Sequence, residues 1–175
     1  MAITLYDISV GQFLQTLGAI EGVLAKGLAF CTENKIDLEE VLDAKVRPDM
    51  LPFRFQVQSL VHHSKDAIEA MKTGQAHAPS DIPPHSYQEL QALIADAIAS
   101  LKDEVPAEIN ALEGRDVTFS LGEKLRLPFT AENFLMSFEL PNFYFHASMT
   151  YAILRGKGVK LGKRDFMGAM KLKTA

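Results

Sequence analysis

The sequence predicts an all-α protein, a bundle of four main helices with one small β-hairpin inserted before the last helix. Four stretches carry apolar side chains at steps of three and four residues, which is the period of one buried helix face. Before the fourth stretch the period changes to two at Asp116, which is typical of strands. A chain of 175 residues, 47% of them hydrophobic, can bury one core and is too short for two ordinary domains. We therefore expect a single domain over residues 1–175.

Helix one is predicted from Ile8 to about Glu33. Four glycines interrupt it, and each weakens an isolated helix by up to ~1 kcal/mol relative to alanine. Tertiary packing must therefore hold this helix, as it would where another helix approaches closely. A short capped turn of helix is expected over residues 37–42 and a breaker segment over residues 47–52. The apolar face of helix one consists of Val10, Phe13, Leu14, Leu17, Ile20, Leu24, Leu28 and Cys31.

Helix two is predicted from Phe53 to Lys72, with Gly74 as its stop. Counting 100° per residue from the centre of its apolar face places His63 on the edge of that face, in line with Gln56. The adjacent His62 points almost directly away. Of the two histidines, we expect only His63 to face into the bundle.

Helix three follows a proline-containing loop from Gln75 to His85, which is long enough to cross one end of a bundle. Both histidines of this loop, His77 and His85, are expected to be exposed to solvent. Ser86 and Glu89 have the spacing of a capping box, so helix three begins there and continues to about residue 104.

The β-hairpin is predicted from two alternating stretches, residues 116–121 and 124–129. Between them Gly122-Glu123 suits a type II′ turn. An isolated hairpin is only marginally stable. Its apolar face should therefore pack on an end of the bundle or on another subunit.

Helix four is predicted to begin after Thr130 as its N-cap, and Pro141 should kink or restart it because proline removes one backbone donor. The helix then continues to Arg155. The apolar side chains of the tail, residues 159–175, suggest that it docks on the bundle. One face of the restarted helix is expected to hold Phe145, His146, Met149, Ala152 and Ile153.

Composition limits the possible partners and the compartment. The net charge of −4 comes from 18 basic and 22 acidic residues spread along the chain, so no basic face indicates nucleic acid. We recognise neither a signal peptide nor an apolar run of membrane-spanning length, and the single cysteine excludes an intramolecular disulfide. We therefore expect a cytoplasmic protein with no membrane partner, and we expect Cys31 to be a buried, inert thiol.

The last forty residues carry a family signature. Pro-Asn-Phe-Tyr-Phe-His at 141–146, Tyr-Ala-Ile-Leu-Arg at 151–155 and Leu-Gly-Lys-Arg-Asp-Phe at 161–166 resemble an uncharacterised branch of the DinB-like (YfiT-like) four-helix-bundle superfamily. The resemblance implies an up-down-down-up bundle and often a homodimer. Better-known relatives bind a divalent metal with one histidine from helix two and two histidines four residues apart on helix four. Several of them transfer or isomerise small molecules with a low-molecular-weight thiol.

In this chain the metal pattern that the resemblance implies is incomplete. His63 matches the ligand from helix two and His146 matches one ligand from helix four. The positions one turn to either side of His146 hold Asn142 and Thr150, and neither replaces imidazole well as a zinc ligand. Glu139 is a further candidate. We expect no cofactor, with zinc or nickel at His63 and His146 as the alternative; a packed, hydrogen-bonded histidine is the simpler interpretation of His146.

Two functions remain open. The first is a dimeric module that binds a small ligand and has a degenerate metal site. The alternative is a metal- or thiol-dependent transferase or isomerase that acts on a small molecule, although no catalytic residue is assigned. Proximity of His63 to His146 would favour the enzyme, whereas a sealed aromatic core between them would exclude it. The candidate ligand contacts are Gln56, His63, Asn142, Tyr144 and His146.

Overall fold

Four helical segments form the core of the fold, and their bounds lie close to those that the sequence predicts. The computed structural model describes residues 2–78, 83–122 and 124–173. Two π-helical turns interrupt the second and fourth segments, the first at His62–Asp66 and the second at Leu135–Glu139. In chain order the other elements are α1 (Leu5–Ile8), α2 (Val10–Asn34), α3 (Leu38–Leu42), α4 (Phe53–Val61), α5 (Ala67–Thr73), β1 (Gln75–His77), α6 (Tyr87–Lys102), α7 (Pro106–Asn110), β2 (Asp116–Leu121), β3 (Leu125–Thr130), α8 (Ala131–Phe134), α9 (Leu140–Gly156) and α10 (Lys163–Met167).

The bundle has the up-down-down-up order that the resemblance implies. Helix α2 packs against α6 and α9, and α4 packs against the same two helices, so α2 and α4 lie diagonally opposite each other. Side-chain contacts at both ends of each pair fix the directions. Between the α1–α2 segment and the α6–α7 segment they are Leu24–Tyr87 and Tyr6–Asn110. Between the α4–α5 segment and the α6 segment they are Arg54–His85 and Lys72–Glu104. Between the α4–α5 segment and the α8–α9 segment they are Gln56–His146 and His63–Glu139.

The local start and stop signals are confirmed. Ser86 and Glu89 form the capping box of α6, and Asp37 caps α3. Gly74, with φ of 77°, ends α5 in the left-handed conformation that glycine adopts without strain. Thr130 occupies the N-cap position of α8, although its side chain makes no capping hydrogen bond.

Pro141 lies in the first turn of α9, and the second π turn immediately precedes it. The wider turn accommodates the missing backbone donor, so the segment continues as a helix. The shared face predicted for α9 is not the face that packs into the bundle, because Phe145 is 50% exposed and Ala152 is also exposed. The face packed into the bundle consists of Phe143, His146, Ala147, Thr150, Ile153 and Leu154.

The hairpin of β2 and β3 is confirmed, and it belongs to a three-stranded sheet. Strand β1 pairs in parallel with β2, so the prediction of loop structure for Gln75–His77 is wrong. His77 is exposed, as predicted, whereas His85 is partly buried beside Gln58. Gly122 has φ of 58°, but the predicted turn also includes Glu123, which lies outside the described residues.

One face of the hairpin packs on the bundle, which is the first of the two locations expected for it. Val117 is fully buried. The Phe119 ring lies 4.7 Å from that of Phe138, and the Phe129 ring lies 5.7 Å from that of Phe134. The hairpin is thus anchored to the second π turn and to α8, the elements that lead into α9.

The tail docks on the bundle as predicted. Val159 and Leu161 are buried, and Asp165 of α10 forms an ion pair with Lys26 of α2. Cys31 is 2% exposed, and burial raises the pKa of its thiol, which keeps it in the unreactive protonated form.

One expectation about α2 needs correction. By length and composition alone, the helical stretch Leu5–Asn34 could cross a membrane, with a mean hydropathy of 1.2 in its most apolar window. The expectation that no run is long and apolar enough is therefore wrong. Buried core helices have the same composition, and the apolar face of α2 packs in the bundle core.

The predicted close approach of another helix occurs at Gly27 of α2. A Cβ atom added there would overlap the Tyr87 hydroxyl and lie 3.0 Å from Leu154 Cδ1. The hydroxyl is held in place because it donates to the carbonyl of Leu24 at 2.9 Å. By contrast, a Cβ added at Gly22 would meet no atom within 4 Å outside its own turns of helix, among the residues that the structure describes.

We expect opposite effects from the same substitution at these two glycines. Gly27→Ala should destabilise the protein by about 1–3 kcal/mol because it overpacks the contact between α2 and α6. Gly22→Ala should stabilise it by up to ~1 kcal/mol because alanine favours the helix and fits the open space. Urea unfolding of both variants tests this expectation. Equal effects at both positions would contradict the close approach.

Candidate functional site

The candidate site is built around the two histidines that the sequence analysis selected. His63, in the first π turn, and His146, on α9, stack with parallel rings whose centroids lie 5.4 Å apart and whose planes differ by 8°. His146 is 8% exposed and the side chain of His63 is 12% exposed. The bundle thus brings together the two residues that could form one site, which is the proximity expected to favour an enzyme.

Gln56 holds the ring of His146. The Nδ1 atom of His146 donates to Gln56 Oε1 at 2.8 Å, while Gln56 Nε2 donates to the carbonyl of Leu51 at 2.9 Å. The second hydrogen bond fixes which end of the amide faces the histidine, so the proton of a neutral His146 sits on Nδ1. Burial and then the neighbouring His63 and His62 lower the pKa of His146 to about 4. At neutral pH its Nε2 therefore carries a free lone pair.

Glu139 holds the ring of His63 in the same way. His63 Nδ1 donates to Glu139 Oε2 at 2.7 Å, and the carboxylate is 4% exposed. His63 belongs to the first π turn and Glu139 ends the second, so the two irregular turns of the bundle meet at this hydrogen bond. π turns are frequent at functional sites. The hydrogen bond between His63 and Glu139 therefore lies where both helical segments depart from regular α-helix geometry.

The Nε2 atoms of both histidines remain available. Among the described residues neither atom makes a hydrogen bond, and neither is one of the buried side-chain atoms left without a partner. Neither ring is completely buried, since the His63 side chain is 12% exposed and His146 is 8% exposed. Two imidazoles oriented through Nδ1, with Nε2 free, can bind a hydrogen-bond donor, accept a proton or ligate a metal.

Aromatic side chains surround the pair without sealing it. The ring of His146 lies 5.7 Å from that of Phe55 and 5.3 Å from that of Phe145, both edge to face. Phe138 contacts His63 with centroids 6.4 Å apart. Because Phe145 is half exposed, it forms part of an apolar rim beside the imidazoles. The sealed core that would exclude a site is absent from this part of the described chain.

The side chains of two other predicted ligand contacts, Asn142 and Tyr144, form hydrogen bonds away from the histidine pair. Asn142 lies between Glu139 and His146 along the helix, but its side-chain amide donates to the carbonyl of Phe138 at 2.8 Å. The Tyr144 hydroxyl donates to Gln12 Oε1 on α2 at 3.1 Å, so it faces a different helix pair. The expectation that Tyr144 joins the histidines is therefore not met.

His62 is closer to the site than predicted. Its ring centroid lies 4.9 Å from that of His63, its side chain is 20% exposed, and its Nδ1 lies 3.3 Å from Asp66 Oδ2. The prediction that it points directly away is wrong, because a π turn does not follow the phase of 100° per residue. Phe55 was missed altogether, since nothing in its spacing distinguishes it from an ordinary apolar helix residue.

The residues present do not fit a three-ligand metal centre. The pair offers two imidazole nitrogens, and the nearest carboxylate, Glu139, already accepts from His63. Across the described ranges, no three His, Cys, Asp or Glu side chains are grouped to hold a metal ion. The buried hydroxyl of Thr150, one turn beyond His146, has no hydrogen-bond partner in the described part of the chain, but a neutral hydroxyl is a poor zinc ligand.

Comparison with known proteins gives two similarities. The family described as "Domain of unknown function (DUF1993)" matches residues 5–167. The fold is similar to the crystal structure of a DinB family member protein from Shewanella denitrificans, with a TM-score of 0.79 and 28% sequence identity over 98% of this chain and 96% of that chain. No curated protein matches the sequence.

Proposed function

The chain belongs to the DUF1993 family, an uncharacterised branch of the DinB-like four-helix bundles, and we propose that it binds a small molecule at the His63–His146 pair. The observation that carries the proposal is the matched orientation of the two rings. Each Nδ1 is held by an acceptor of its own, Gln56 or Glu139, and each Nε2 is left open. Such preorganisation lowers the cost of binding, because the rings need not be ordered by the ligand.

The chemistry of the pair indicates the kind of ligand. The unprotonated Nε2 of His146 accepts hydrogen bonds, so the ligand should offer an O–H or S–H donor. The rings of Phe55, Phe138 and Phe145 provide an apolar wall for the rest of the molecule. Small-molecule sites commonly combine such a wall with a few well-placed polar groups. A small neutral molecule with one hydroxyl or thiol meets both requirements.

Two features favour binding over catalysis. A histidine with a pKa of about 4 is a weak base at neutral pH, whereas an efficient general base has a pKa near the working pH. A catalytic zinc centre also needs three protein ligands, and the pair supplies two. His146 is thus better suited to accept a hydrogen bond than to remove a proton.

The alternative function, a metal- or thiol-dependent transferase or isomerase, is favoured by one observation. The hydrogen bond of 2.7 Å between His63 and Glu139 resembles the arrangement in which a carboxylate orients a general-base histidine. His63, and not His146, would then receive the proton of a substrate or thiol. In its metal-dependent form, this alternative requires about one bound metal per chain, lost when either histidine is replaced.

Phenol should bind at the pair, and toluene, which has a similar shape but no hydroxyl, should bind far more weakly. The phenol hydroxyl can donate to a free Nε2, and its ring can pack on the aromatic wall. Nitrogen NMR of the histidine side chains measures this directly, since phenol should shift the Nε2 signals of His63 and His146 to saturation.

Two variants control the phenol titration. His146→Gln should abolish the saturable shift at His63, because the acceptor Nε2 of His146 is lost. Tyr144→Phe should leave it unchanged, since Tyr144 faces α2. Equal binding of phenol and toluene, or no saturable shift in the wild type, would overturn the proposal.

We also propose that the protein forms a homodimer through the tip of its hairpin. Val159 and Leu161 of the tail are covered by the bundle, although Met170 and Leu172 beyond them are exposed. In the hairpin, Leu121 and Leu125 remain 53% and 41% exposed at the end of β2 and the start of β3. Light scattering should give a mass near twice 19.3 kDa. A double substitution of both leucines by serine should then give a monomer. A monomeric wild type at tens of micromolar would contradict the dimer.

A further inference from the structure

A cavity of about 450 Å³ opens between the first π turn, α5 and β1. Four of the lining residues are alanines, whose small side chains leave room for the cavity. Neither His63 nor His146 is among the described lining residues. Its polar lining consists of His62, Asp66, Glu69, Gln75, His77 and Glu139. Among the described lining residues, Glu139 is the one that also takes part in the hydrogen bonds orienting the histidine pair. The cavity and the histidine pair are therefore two neighbouring sites joined by one carboxylate.

Only one oxygen of the Glu139 carboxylate accepts a hydrogen bond from a described residue. Glu139 is 3% exposed and gives Oε2 to His63, but Oε1 makes no hydrogen bond with any described residue. Oε1 is also not one of the buried atoms left without a partner, so it is in contact with the cavity or with solvent. A buried carboxylate is costly unless both oxygens are satisfied. The second oxygen is the group in this cavity that most needs a donor.

The charges of the lining all have one sign. Three carboxylates line the cavity, those of Asp66, Glu69 and Glu139, and no lysine or arginine lies among the described lining residues. Asp66 and Glu69 are exposed, whereas Glu139 is buried. The negative field is thus arranged from the surface to the interior, which favours a positively charged ligand.

We propose that this cavity binds a small organic cation, a primary amine or diamine. One ammonium group donates to Glu139 Oε1 in the interior, and a second positive group lies near Asp66 and Glu69. An ammonium carries three donors and no acceptor, which suits a lining of carboxylates with a glutamine and two histidines. Its volume lies in the usual range for sites that bind small molecules.

The residues that line the cavity suit an amine better than a metal ion. Among the described residues, no three carboxylates and histidines lie close enough together to coordinate one ion. An extended diamine does not need them to converge, because its two charges lie several ångströms apart. The cavity and the histidine pair share only the carboxylate of Glu139, so variants of the outer residues Asp66 and Glu69 test the cavity separately.

A titration with 1,4-diaminobutane at constant ionic strength tests the proposal. Backbone NMR signals from the first π turn to β1 should shift to saturation. The diol 1,4-butanediol, which has the same length and no charge, should give no saturable shift, and neither should the dianion butanedioate. Constant ionic strength is needed because salt screens charges at the surface.

Variants locate the binding. Asp66→Asn combined with Glu69→Gln changes two exposed residues that should not affect folding, and it should weaken diamine binding at least about tenfold, a free-energy change of ~1.4 kcal/mol. Glu139→Gln should abolish it. Glu33→Gln is the matched control, because Glu33 is exposed and lines a cavity of about 410 Å³ at the other end of the bundle.

Three results would overturn the proposal. They are the absence of saturable shifts in the wild type, equal binding by the double variant and the Glu33→Gln control, and binding of butanediol as tight as that of the diamine. Phenol binding at the histidine pair should survive in the double variant, so failure of the amine site and failure of the proposed function can be told apart.

Discussion

Lowering the pH from 7 to 4 should destabilise the protein by about 3 kcal/mol through His146 alone, because its pKa falls from 6.5 to about 4 on folding. The unfolded chain takes up a proton near pH 6.5, whereas the folded protein resists it until about pH 4. Between these values the unfolded state binds more protons, so the free energy of unfolding falls as the pH falls. Below pH 4 both states are protonated and the contribution stops changing.

The variant His146→Gln isolates this effect. Carboxylates whose pKa values are lowered by hydrogen bonds, such as Glu89 and Glu132, also cost stability in acid. The variant keeps those groups, and its amide can still donate to Gln56. Urea unfolding of both proteins at several pH values should show that the variant loses less stability between pH 6.5 and 4. Identical pH dependence would mean that His146 is not the buried neutral imidazole described above.

The substitution Asn142→His should create a zinc site with an affinity at least about a hundredfold above that of the wild type, roughly 3 kcal/mol. Asn142 lies one turn before His146 and one turn after Glu139, the residue that contacts His63. A third imidazole at this level would complete the three-ligand set that zinc centres need. Among the described residues, the Asn142 amide bonds the carbonyl of Phe138 in its own helical segment, so little is lost by replacing it.

A competition titration with a chromophoric chelator measures the zinc affinity of Asn142→His. The double variant Asn142→His/His146→Gln is the control, because it returns the number of imidazoles to two and should return the affinity to the wild-type level. If the single variant binds zinc no more tightly than the wild type, then His63 and His146 do not present their Nε2 atoms toward a common point.

The parts of the fold that the sequence predicts correctly are governed by local chemistry. The capping box at Ser86, the stop at Gly74 and the hairpin at Asp116 each depend on residues within a few positions. Strand β1 was missed because its three residues have no strand pattern of their own and pair with a strand more than 40 positions away. The two π turns were missed because packing between segments distant in sequence decides where a helix widens.

The same distinction applies to the candidate site. The pairing of His63 with His146 follows from the helix order that the family resemblance implies. The role of Glu139 could not be fixed, because a π turn adds a residue to the helix and changes the register before Pro141. Tyr144 was grouped with the histidine pair because it lies in the same aromatic run, but its hydroxyl faces Gln12 on α2, whereas Phe145 and His146 contact each other. Adjacent helix residues differ in direction by 100°, so a short aromatic run cannot all serve one site.

The metal content of the untagged protein tests most directly whether the histidine pair acts through its own imidazoles. Elemental analysis should be made on protein expressed without a histidine tag and purified without chelators. With two imidazoles and no third ligand, we predict well below one equivalent of zinc or nickel per chain. About one equivalent per chain, lost in both His63→Ala and His146→Ala, would contradict this prediction and make the metal-dependent enzyme the better description of the site.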